Sequence, residues 1–323
     1  MRRKKKIFSF PEIEILIKIV DSYSPHFKRN EVCFHVSRNI ILKDGDNVLN
    51  RMKIKISINK NLIRMCGGNP MKQIIISGLI VLILAPFLYG QELTGEDIVQ
   101  KVNDLFNVET AHAKAKMTIQ TTSGQKRTFI YESWSKNKGE KNLVRYLEPR
   151  RVKDQATLML NNADDIWMYF PRTQRVRKLA SHAKKQKMQG SDFSYEDMGS
   201  GDAFINDFSP KRLKDEKMEG YDCYKLELTR KPDSDVSYSR LIMWVIKENF
   251  VPVVIDYYDE DDPTLHEKRL VESDIRVIDD IPTAMKVVMY NKNDNTQTEL
   301  ELLEVKYNIT LADSMFTERG LKK

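Results

Sequence analysis

Apolar and polar residues alternate with a period of two in about a dozen short segments between residues 112 and 307. Successive strand residues point to opposite faces of a sheet, so the pattern predicts strands that each have one apolar face. Polar turns such as Ser123-Gly124 separate these segments. The predicted strands lie at residues 112–121, 128–134, 143–146, 156–160, 165–170, 174–179, 223–229, 239–246, 251–258, 268–277, 282–290 and 296–307. We expect a mainly β fold with one antiparallel sheet, strongly curved or nearly closed.

One helix is predicted ahead of the strands. Thr94 can cap it, and Glu96 and Asp97 stand in the first turn, where the helix dipole favours acidic side chains. The apolar residues that follow have helical spacing: Ile98, Val99, Val102, Leu105 and Phe106. Their shared stripe predicts a helix that packs one face against the sheet.

Residues 180–208 break the alternation. A connection this long inside a compact β domain is usually functional or disordered, and its four aromatic residues argue against disorder. We expect a lid over one end of the sheet, with three hinge glycines, Gly190, Gly199 and Gly201. The acidic residues of the lid would face the basic residues between 172 and 187. These acidic residues are Asp192, Glu196 and Asp197. The alternative is a loop that is packed permanently against the sheet.

Residues 71–90 have the pattern of a secretory signal peptide. Met71-Lys72 is followed by mostly apolar residues from 74 to 88 and by the small residue Gly90, after which cleavage is expected before Gln91. A signal works from a free N-terminus, so we interpret residues 1–70 as translated upstream sequence. The competing interpretation of residues 1–70 is a small basic cytoplasmic domain. The competing interpretation of residues 71–90 is a buried core helix. The mature protein would be residues 91–323, located in the periplasm.

The charge of the chain comes from its N-terminal part. The whole sequence has a net charge of +7, but the excess of Lys and Arg lies in residues 1–70, and the expected mature chain is slightly acidic. The composition therefore gives no support for nucleic-acid binding. Without Cys33 and Cys66, Cys223 is the one cysteine left, so no internal disulfide is expected.

No sequence motif indicates catalysis. The chain has no G-x-S-x-G elbow, phosphate-binding glycine loop, H-E-x-x-H or C-x-x-C motif, so we expect neither an enzyme nor a bound metal or cofactor. His112, His182 and His266 are far apart in sequence. The acidic run at 256–262 lacks the ligand spacing of a calcium loop. A secreted hydrolase that uses Glu196 and Asp197 is the alternative.

A basic cluster lies close to aromatic residues. Its members are Arg172, Arg175, Arg177 and Lys178, followed by Lys184, Lys185 and Lys187. Outside the inner membrane, such a cluster can contact lipid headgroups, acidic lipoprotein segments or a membrane complex. It can equally be a charged outer face on which long side chains cover apolar surface.

Residues 190–198 form the run Gly-Ser-Asp-Phe-Ser-Tyr-Glu-Asp-Met, and further characteristic runs lie at 165–171, 175–178, 243–246, 252–259 and 313–321. These runs, of which 190–198 is the most diagnostic, resemble the outer-membrane lipoprotein-sorting protein family, which is related to the LolA and LolB lipoprotein carriers. The resemblance covers residues 91–323. It implies a half-open β-barrel whose concave side is plugged by helices and shelters acyl chains.

The family resemblance implies a periplasmic carrier that moves a lipoprotein or lipid between membranes. Its partners would be the acyl chains and an inner-membrane transporter, with peripheral membrane contact and a monomeric state. A lipid-sensing scaffold or signalling module is the second possibility. We expect the cavity to be lined from alternate strand positions and from the lid, by Trp167, Tyr169, Phe193, Tyr195, Met243 and Trp244.

Overall fold

The structure is a computed structural model, and it describes residues 92–106, 108–199 and 203–322 together with two short strands near the N-terminus. The chain divides into two units, residues 1–91 and 92–323. In the first unit, β1 (Glu14–Leu16) pairs with β2 (Cys33–His35) in antiparallel orientation. The predicted signal, the cleavage site and the rest of residues 1–70 lie outside the described residues, so those interpretations stay predictions.

The second unit contains one antiparallel sheet of fourteen strands. Its strands are β3 (Thr110–Gln120), β4 (Lys126–Lys136), β5 (Lys141–Glu148), β6 (Ala156–Leu160), β7 (Asp165–Phe170), β8 (Arg175–Lys178), β9 (Phe208–Arg212), β10 (Glu216–Met218), β11 (Tyr221–Arg230), β12 (Arg240–Ile246), β13 (Pro252–Tyr258), β14 (His266–Ile278), β15 (Ile281–Asn291) and β16 (Thr296–Tyr307).

The strand order runs β10-β11-β12-β13-β14-β15-β16-β3-β4-β5-β6-β7-β8, and β9 pairs with the other half of the same edge of β11. Strand β8 forms the opposite edge, so the sheet is curved but does not close. The predicted fold class, a mainly β half-open barrel, is confirmed. All twelve predicted strands are present; β9 and β10 were missed, because β9 contains Pro210 and β10 has three residues.

Helix α1 (Gly95–Phe106) begins where the sequence predicts it. The Asp97 amide donates to Thr94 Oγ1 at 3.1 Å, and the Thr94 amide donates to the Asp97 carboxylate at 3.0 Å, so the two residues cap each other reciprocally. Ile98, Val99 and Val102 are fully buried against the sheet. Among the residues that the structure describes, no helix is both long and apolar enough to cross a membrane.

The inner face of the sheet carries a continuous apolar core. One cluster joins α1 to β11, β12, β13 and β15, and a second joins β3, β4, β5, β6 and β7. Met198 and Leu300 pack against both clusters, so the apolar surface extends across the concave side from one edge region to the other.

The C-terminal residues cover part of the outer face. Two short 3-10 helices, Asp313–Phe316 and Gly320–Lys322, place Phe316 and Leu321 against Leu143 and Leu158. Arg145 Nη2 donates to the Leu321 carbonyl at 3.2 Å. Strand β6 is therefore buried on both faces, which explains why four of the five residues in its run Ala-Thr-Leu-Met-Leu are apolar.

Candidate ligand-binding hollow

A cover segment lies over part of the inner face; we define it as residues 181–199 and 203–206. It contains two 3-10 helices, Ser181–Lys185 and Met188–Gly190, and two short α-helices, α2 (Tyr195–Gly199) and α3 (Ala203–Asn206). Met188, Phe193 and Tyr195 are buried in the inner-face clusters. The segment predicted as a lid is therefore a packed cover, and whether it opens stays a prediction.

Asp192 joins the cover segment to β16. Its side chain is almost completely buried, and it accepts hydrogen bonds from Thr296 Oγ1 at 2.5 Å and Thr298 Oγ1 at 2.7 Å. The Asp192 amide also donates to Thr298 Oγ1, at 2.9 Å. Lys187 Nζ lies 3.8 Å from the carboxylate and pairs with Asp294. These bonds compensate the cost of burying the Asp192 charge.

Asp197 joins the cover segment to β14. Ser194 and Asp197 cap α2 reciprocally, through bonds of 2.7 and 3.0 Å. The same Asp197 carboxylate accepts from Tyr238 Oη at 2.8 Å and lies 3.5 Å from Lys268 Nζ, which donates to Tyr238 Oη at 2.9 Å. Lys268 is 6 % exposed, so this ion pair is shielded from water. Removal of one partner would leave a buried charge without its counterion.

Glu196 makes the third polar contact between the cover segment and the rest of the domain. Its carboxylate accepts hydrogen bonds from the amide of Ser237, at 3.1 Å, and from the Ser237 hydroxyl. Burial raises the pKa of Glu196 above its usual value. A hydrolytic pair of Glu196 and Asp197 has no geometric support, because each carboxylate is already bonded to its own partners.

The predicted contact between the acids of the cover and the basic stretch is wrong for most of its members. Lys184 pairs with Asp164 and Asp235, at 3.3 and 3.2 Å, and Lys185 pairs with Glu260 at 2.7 Å. Lys187 is the one lysine of these three that lies within 4.0 Å of a cover acid, Asp192, and Lys184 interacts with Glu196 at longer range. Arg175, Arg177 and Lys178 lie on the exposed edge strand β8, away from the concave side, and Lys184 and Lys185 are paired with acids outside the cover.

The three predicted hinge glycines have different surroundings. Gly190 has a positive φ of 71°, and its carbonyl accepts from Arg127 Nη2 at 3.3 Å. Gly199 has close packing instead: a Cβ there would lie 2.6 Å from Ala163 Cβ. Gly201 lies outside the described residues. Gly199 is thus explained by close approach to the loop between β6 and β7, and hinge motion at any of the three stays a prediction.

The six predicted cavity residues do not share one face. Phe193, Tyr195 and Met243 belong to the inner-face clusters. Trp167 and Tyr169 pack in the outer-face cluster with Phe316, and Trp244 Nε1 donates to Glu216 Oε1 at 2.6 Å on the other side of β12 from Met243. Met243 and Trp244 are adjacent in a strand, so they point in opposite directions. A single cavity lined by all six residues was therefore a wrong expectation.

Beyond the cover segment, part of the apolar inner face stays partly exposed. Leu270, Val287, Leu300 and Leu302 all pack against the inner-face clusters, yet each is only half-buried. Val287 stands opposite Leu300, and Leu300 stands opposite Met117 in the next strand. These residues form an apolar strip that continues the buried core into a water-accessible hollow; we call it the open hollow.

One carboxylic acid lies on the open hollow. Glu272 stands directly opposite Val287 and two positions after Leu270 on β14, so it points to the inner face. It has no hydrogen bond or ion pair with any described residue, and burial raises its pKa to about 8. The residue is nevertheless half-buried rather than fully enclosed, as expected for a side chain that lines a hollow. The alternation Leu300-Glu301-Leu302 in the sequence indicates that the two leucines share one face of β16. The position of Glu272 beside them could be found only from the pairing of the strands.

The predicted basic patch lies on and beside the edge strand β8. Arg172, Arg175, Arg177 and Lys178 are all exposed. Lys178 pairs with Asp165 and lies 5.4 Å from the Trp167 ring centroid. In the described part of the chain, the three arginines have no ion pair. The same residues contain no group of three or more His, Cys, Asp or Glu side chains that could hold a metal ion.

Comparison with known proteins gives the family. A family profile described as an uncharacterized protein matches residues 138–323, more than half of the chain. The structure resembles an outer membrane lipoprotein-sorting protein domain from Vibrio parahaemolyticus, at 25% identity and a TM-score of 0.63, over 71% of this chain and 98% of that one. The chain belongs to the LolA-like family.

Two further solved structures have the same fold. A DUF1329 family protein from Desulfovibrio piger is 26% identical, with a TM-score of 0.63, over 70% of this chain and 97% of the other. A LolA superfamily protein from Nitrosomonas europaea is 22% identical, with a TM-score of 0.59, over 70% of this chain and 98% of that chain. A search of curated proteins found no match. The LolA-like neighbours support a lipoprotein-sorting or lipid-binding fold for the second unit.

Proposed function

We propose that this LolA-like protein shelters acyl chains of a lipoprotein or lipid on its concave face and carries them between membranes. The observation that carries the proposal is the open hollow, where apolar inner-face residues remain accessible to water beside a filled core. Exposed apolar surface that continues into a core is typical of binding sites. Each methylene removed from water contributes about 0.8 kcal/mol, so a long acyl chain needs no catalytic group for tight binding.

The proposed location follows from the same function. A carrier of acyl chains between membranes would act in the periplasm, and the predicted signal at residues 71–90 would export it. The likeness to a lipoprotein-sorting domain supports an envelope location. N-terminal sequencing of protein recovered from the periplasm tests this part: we expect a start at or near Gln91, and peptides from residues 1–70 in the native host would contradict it.

The hollow can be tested with two adjacent leucines. Leu302 packs on the inner face, whereas Leu303 is 42% exposed at an irregular position of β16, where the pairing with β3 shifts register. We expect Leu302→Gln to weaken binding of a neutral fluorescent acyl probe about tenfold, since one polar side chain replaces roughly two methylenes of apolar contact. Leu303→Gln is the matched control and should bind like the wild type.

Three results would contradict the proposal. The first is that the folded wild-type protein does not bind the probe. The second is that both substitutions weaken the affinity for the probe equally, and the third is that Leu302→Gln leaves this affinity unchanged. Circular dichroism of both variants establishes that the sheet is intact. Tryptophan emission is a second readout: Trp167 and Trp244 lie on the outer face, so their emission should change little when the probe occupies the hollow.

The exposed arginines give the carrier a membrane-facing edge in this proposal. Arg172, Arg175 and Arg177 would contact anionic headgroups during loading or release, at about 1 kcal/mol for each charge near the surface. We expect the wild type to bind vesicles that contain anionic lipid at low salt and to dissociate at high salt. Replacing the three arginines by glutamine should abolish this binding, while Lys211→Gln, an exposed control on β9, should not.

A further inference from the structure

Glu272 is a polar group in an otherwise apolar part of the hollow. Its neighbour across the strand pair is Val287, and the next residues in the same row are Leu300 and Met117. Strands are about 4.8 Å apart, so the Glu272 carboxyl stands roughly 10 Å from Leu300 along a path of apolar side chains. A chain bound on that path would place its polar end at Glu272.

The groups around Glu272 do not supply a counterion. The titratable residues that interact with it electrostatically are Tyr257 on β13 and Tyr307 on β16, and burial raises the pKa of both hydroxyls. Both tyrosines are therefore neutral near pH 8. On the same strand, Lys268 is paired with Asp197, and Asp274 is paired with Arg276.

The other elements around β14 leave Glu272 equally unpaired. Lys286 on β15 stands opposite Ser273, on the opposite face, and pairs with Glu299 at 2.8 Å. The charged residues of α1, among them Lys101 and Asp104, are exposed, and Lys101 Nζ lies 4.9 Å from the Phe250 ring centroid. No cation of the described residues lies within 4.0 Å of the Glu272 carboxyl.

We propose that Glu272 binds the amide group of a ligand whose acyl chain lies on the open hollow. The neutral carboxyl has one O–H donor, and the carbonyl oxygen of an amide is a hydrogen-bond acceptor. The Glu272 O–H donates to the amide carbonyl, whereas the N–H of a trans amide points to the opposite side, away from Glu272. This inference rests on the proposed acyl binding and names its ligand class: acyl chains joined through an amide.

The chemistry disfavours two other polar ends. A fatty-acid carboxylate would place a second negative charge beside Glu272 once the side chain ionises. A cationic amine would need an ionised Glu272, and both charges would lose water in an apolar hollow. The neutral amide pair satisfies the unpartnered carboxyl without any buried charge.

The test uses the full chain, a long-chain N-methyl fatty amide and a fatty amine of equal length, each of which displaces a neutral fluorescent acyl probe. Binding is measured at about pH 6 and about pH 9.5, on either side of the Glu272 pKa of about 8. We expect the wild type to prefer the amide and to lose about tenfold of its affinity at the higher pH.

Two variants separate the carboxyl from the fold. Glu272→Gln keeps a donor and an acceptor but does not titrate, so its amide affinity should match the wild type at about pH 6 and stay constant with pH. Glu272→Leu should lose about tenfold at about pH 6 while it still binds the neutral acyl probe. Glu301→Gln, on the outer side of β16 and paired with Lys116, is the control and should behave as the wild type.

The outcomes distinguish the two proposals. If Glu272→Leu binds the amide as the wild type does and the wild-type profile is flat with pH, the role of Glu272 is wrong, while acyl binding stands. If the amine binds more tightly than the amide and Glu272→Gln abolishes that preference, the ligand is cationic and the inference is overturned. If the folded wild type binds no acyl probe, both proposals fail.

Discussion

Replacing Glu272 by glutamine should stabilise the unliganded protein in a pH-dependent way. The carboxyl has an ordinary pKa of 4.5 in the unfolded chain and a pKa of about 8 in the folded protein, because burial disfavours its charged form. Folding is therefore unaffected by this group below about pH 4.5, and stability falls as the pH rises towards 8. At 1.36 kcal/mol for each pKa unit the cost comes to roughly 5 kcal/mol, and partial hydration of the half-buried side chain reduces it to about 2–3 kcal/mol.

Urea and thermal unfolding of the wild type and Glu272→Gln at about pH 5 and about pH 8.5 measure this difference. We expect nearly equal midpoints at the lower pH and a Tm about 5–10 °C higher for the variant at the higher pH, given the size of the domain. Glu304→Gln, at an exposed position of β16, is the control and should show no pH-dependent gain. The same difference at both pH values, or an equal gain in the control, would refute the argument that Glu272 is held neutral by its surroundings.

Two substitutions and one thiol-labelling experiment test the packing of the cover segment and the core. Gly199→Ala should destabilise the protein by about 1–3 kcal/mol in urea unfolding, because its Cβ would lie 2.6 Å from Ala163 Cβ. Adding Ala163→Gly should restore most of the lost stability. No loss in the single variant, or no restoration in the double variant, would contradict this contact. Asp197→Ala should lower the free energy of unfolding by about 3–5 kcal/mol, because Lys268 is left buried without its counterion. The double variant with Lys268→Met should lose less stability. Equal losses in the two variants would show that the ion pair does not stabilise the cover. Cys223 is buried and its pKa is raised, so peptide mapping should find it unmodified by a thiol reagent until the protein unfolds, and rapid labelling of the native protein would contradict its position.

The local pattern of the sequence determined the strands and the first helix. Period-two alternation is a property of each segment by itself, so it located twelve strands of the sheet before any contact was known. The cap at Thr94 and Asp97 likewise depends on residues three positions apart. The aromatic residues of 180–208 indicated an ordered segment, and the structure places it against the inner face. The resemblance of the 190–198 run indicated the family.

Which face of each strand forms the hollow was decided by tertiary structure. Strands β6, β7, β12 and β13 are apolar on both faces, because the C-terminal helices and an outer cluster cover the side that would otherwise meet water. Alternation cannot tell the inner face from the outer one in such strands, so Trp167, Tyr169 and Trp244 were placed in the cavity although they lie outside it. Gly199 was interpreted as a hinge because its neighbour, Ala163, is distant in sequence.

The register between strands decided the remaining features of the site. Glu272 became recognisable only when β14 was aligned with β15, because the apolar environment of its carboxyl is supplied by Val287 and Leu300 from other strands. The partners of Asp192 and Asp197 are likewise 106 and 71 residues away in the chain. Sequence determines what each segment can form by itself, whereas the burial and pairing of a charge depend on residues that only the folded sheet brings together.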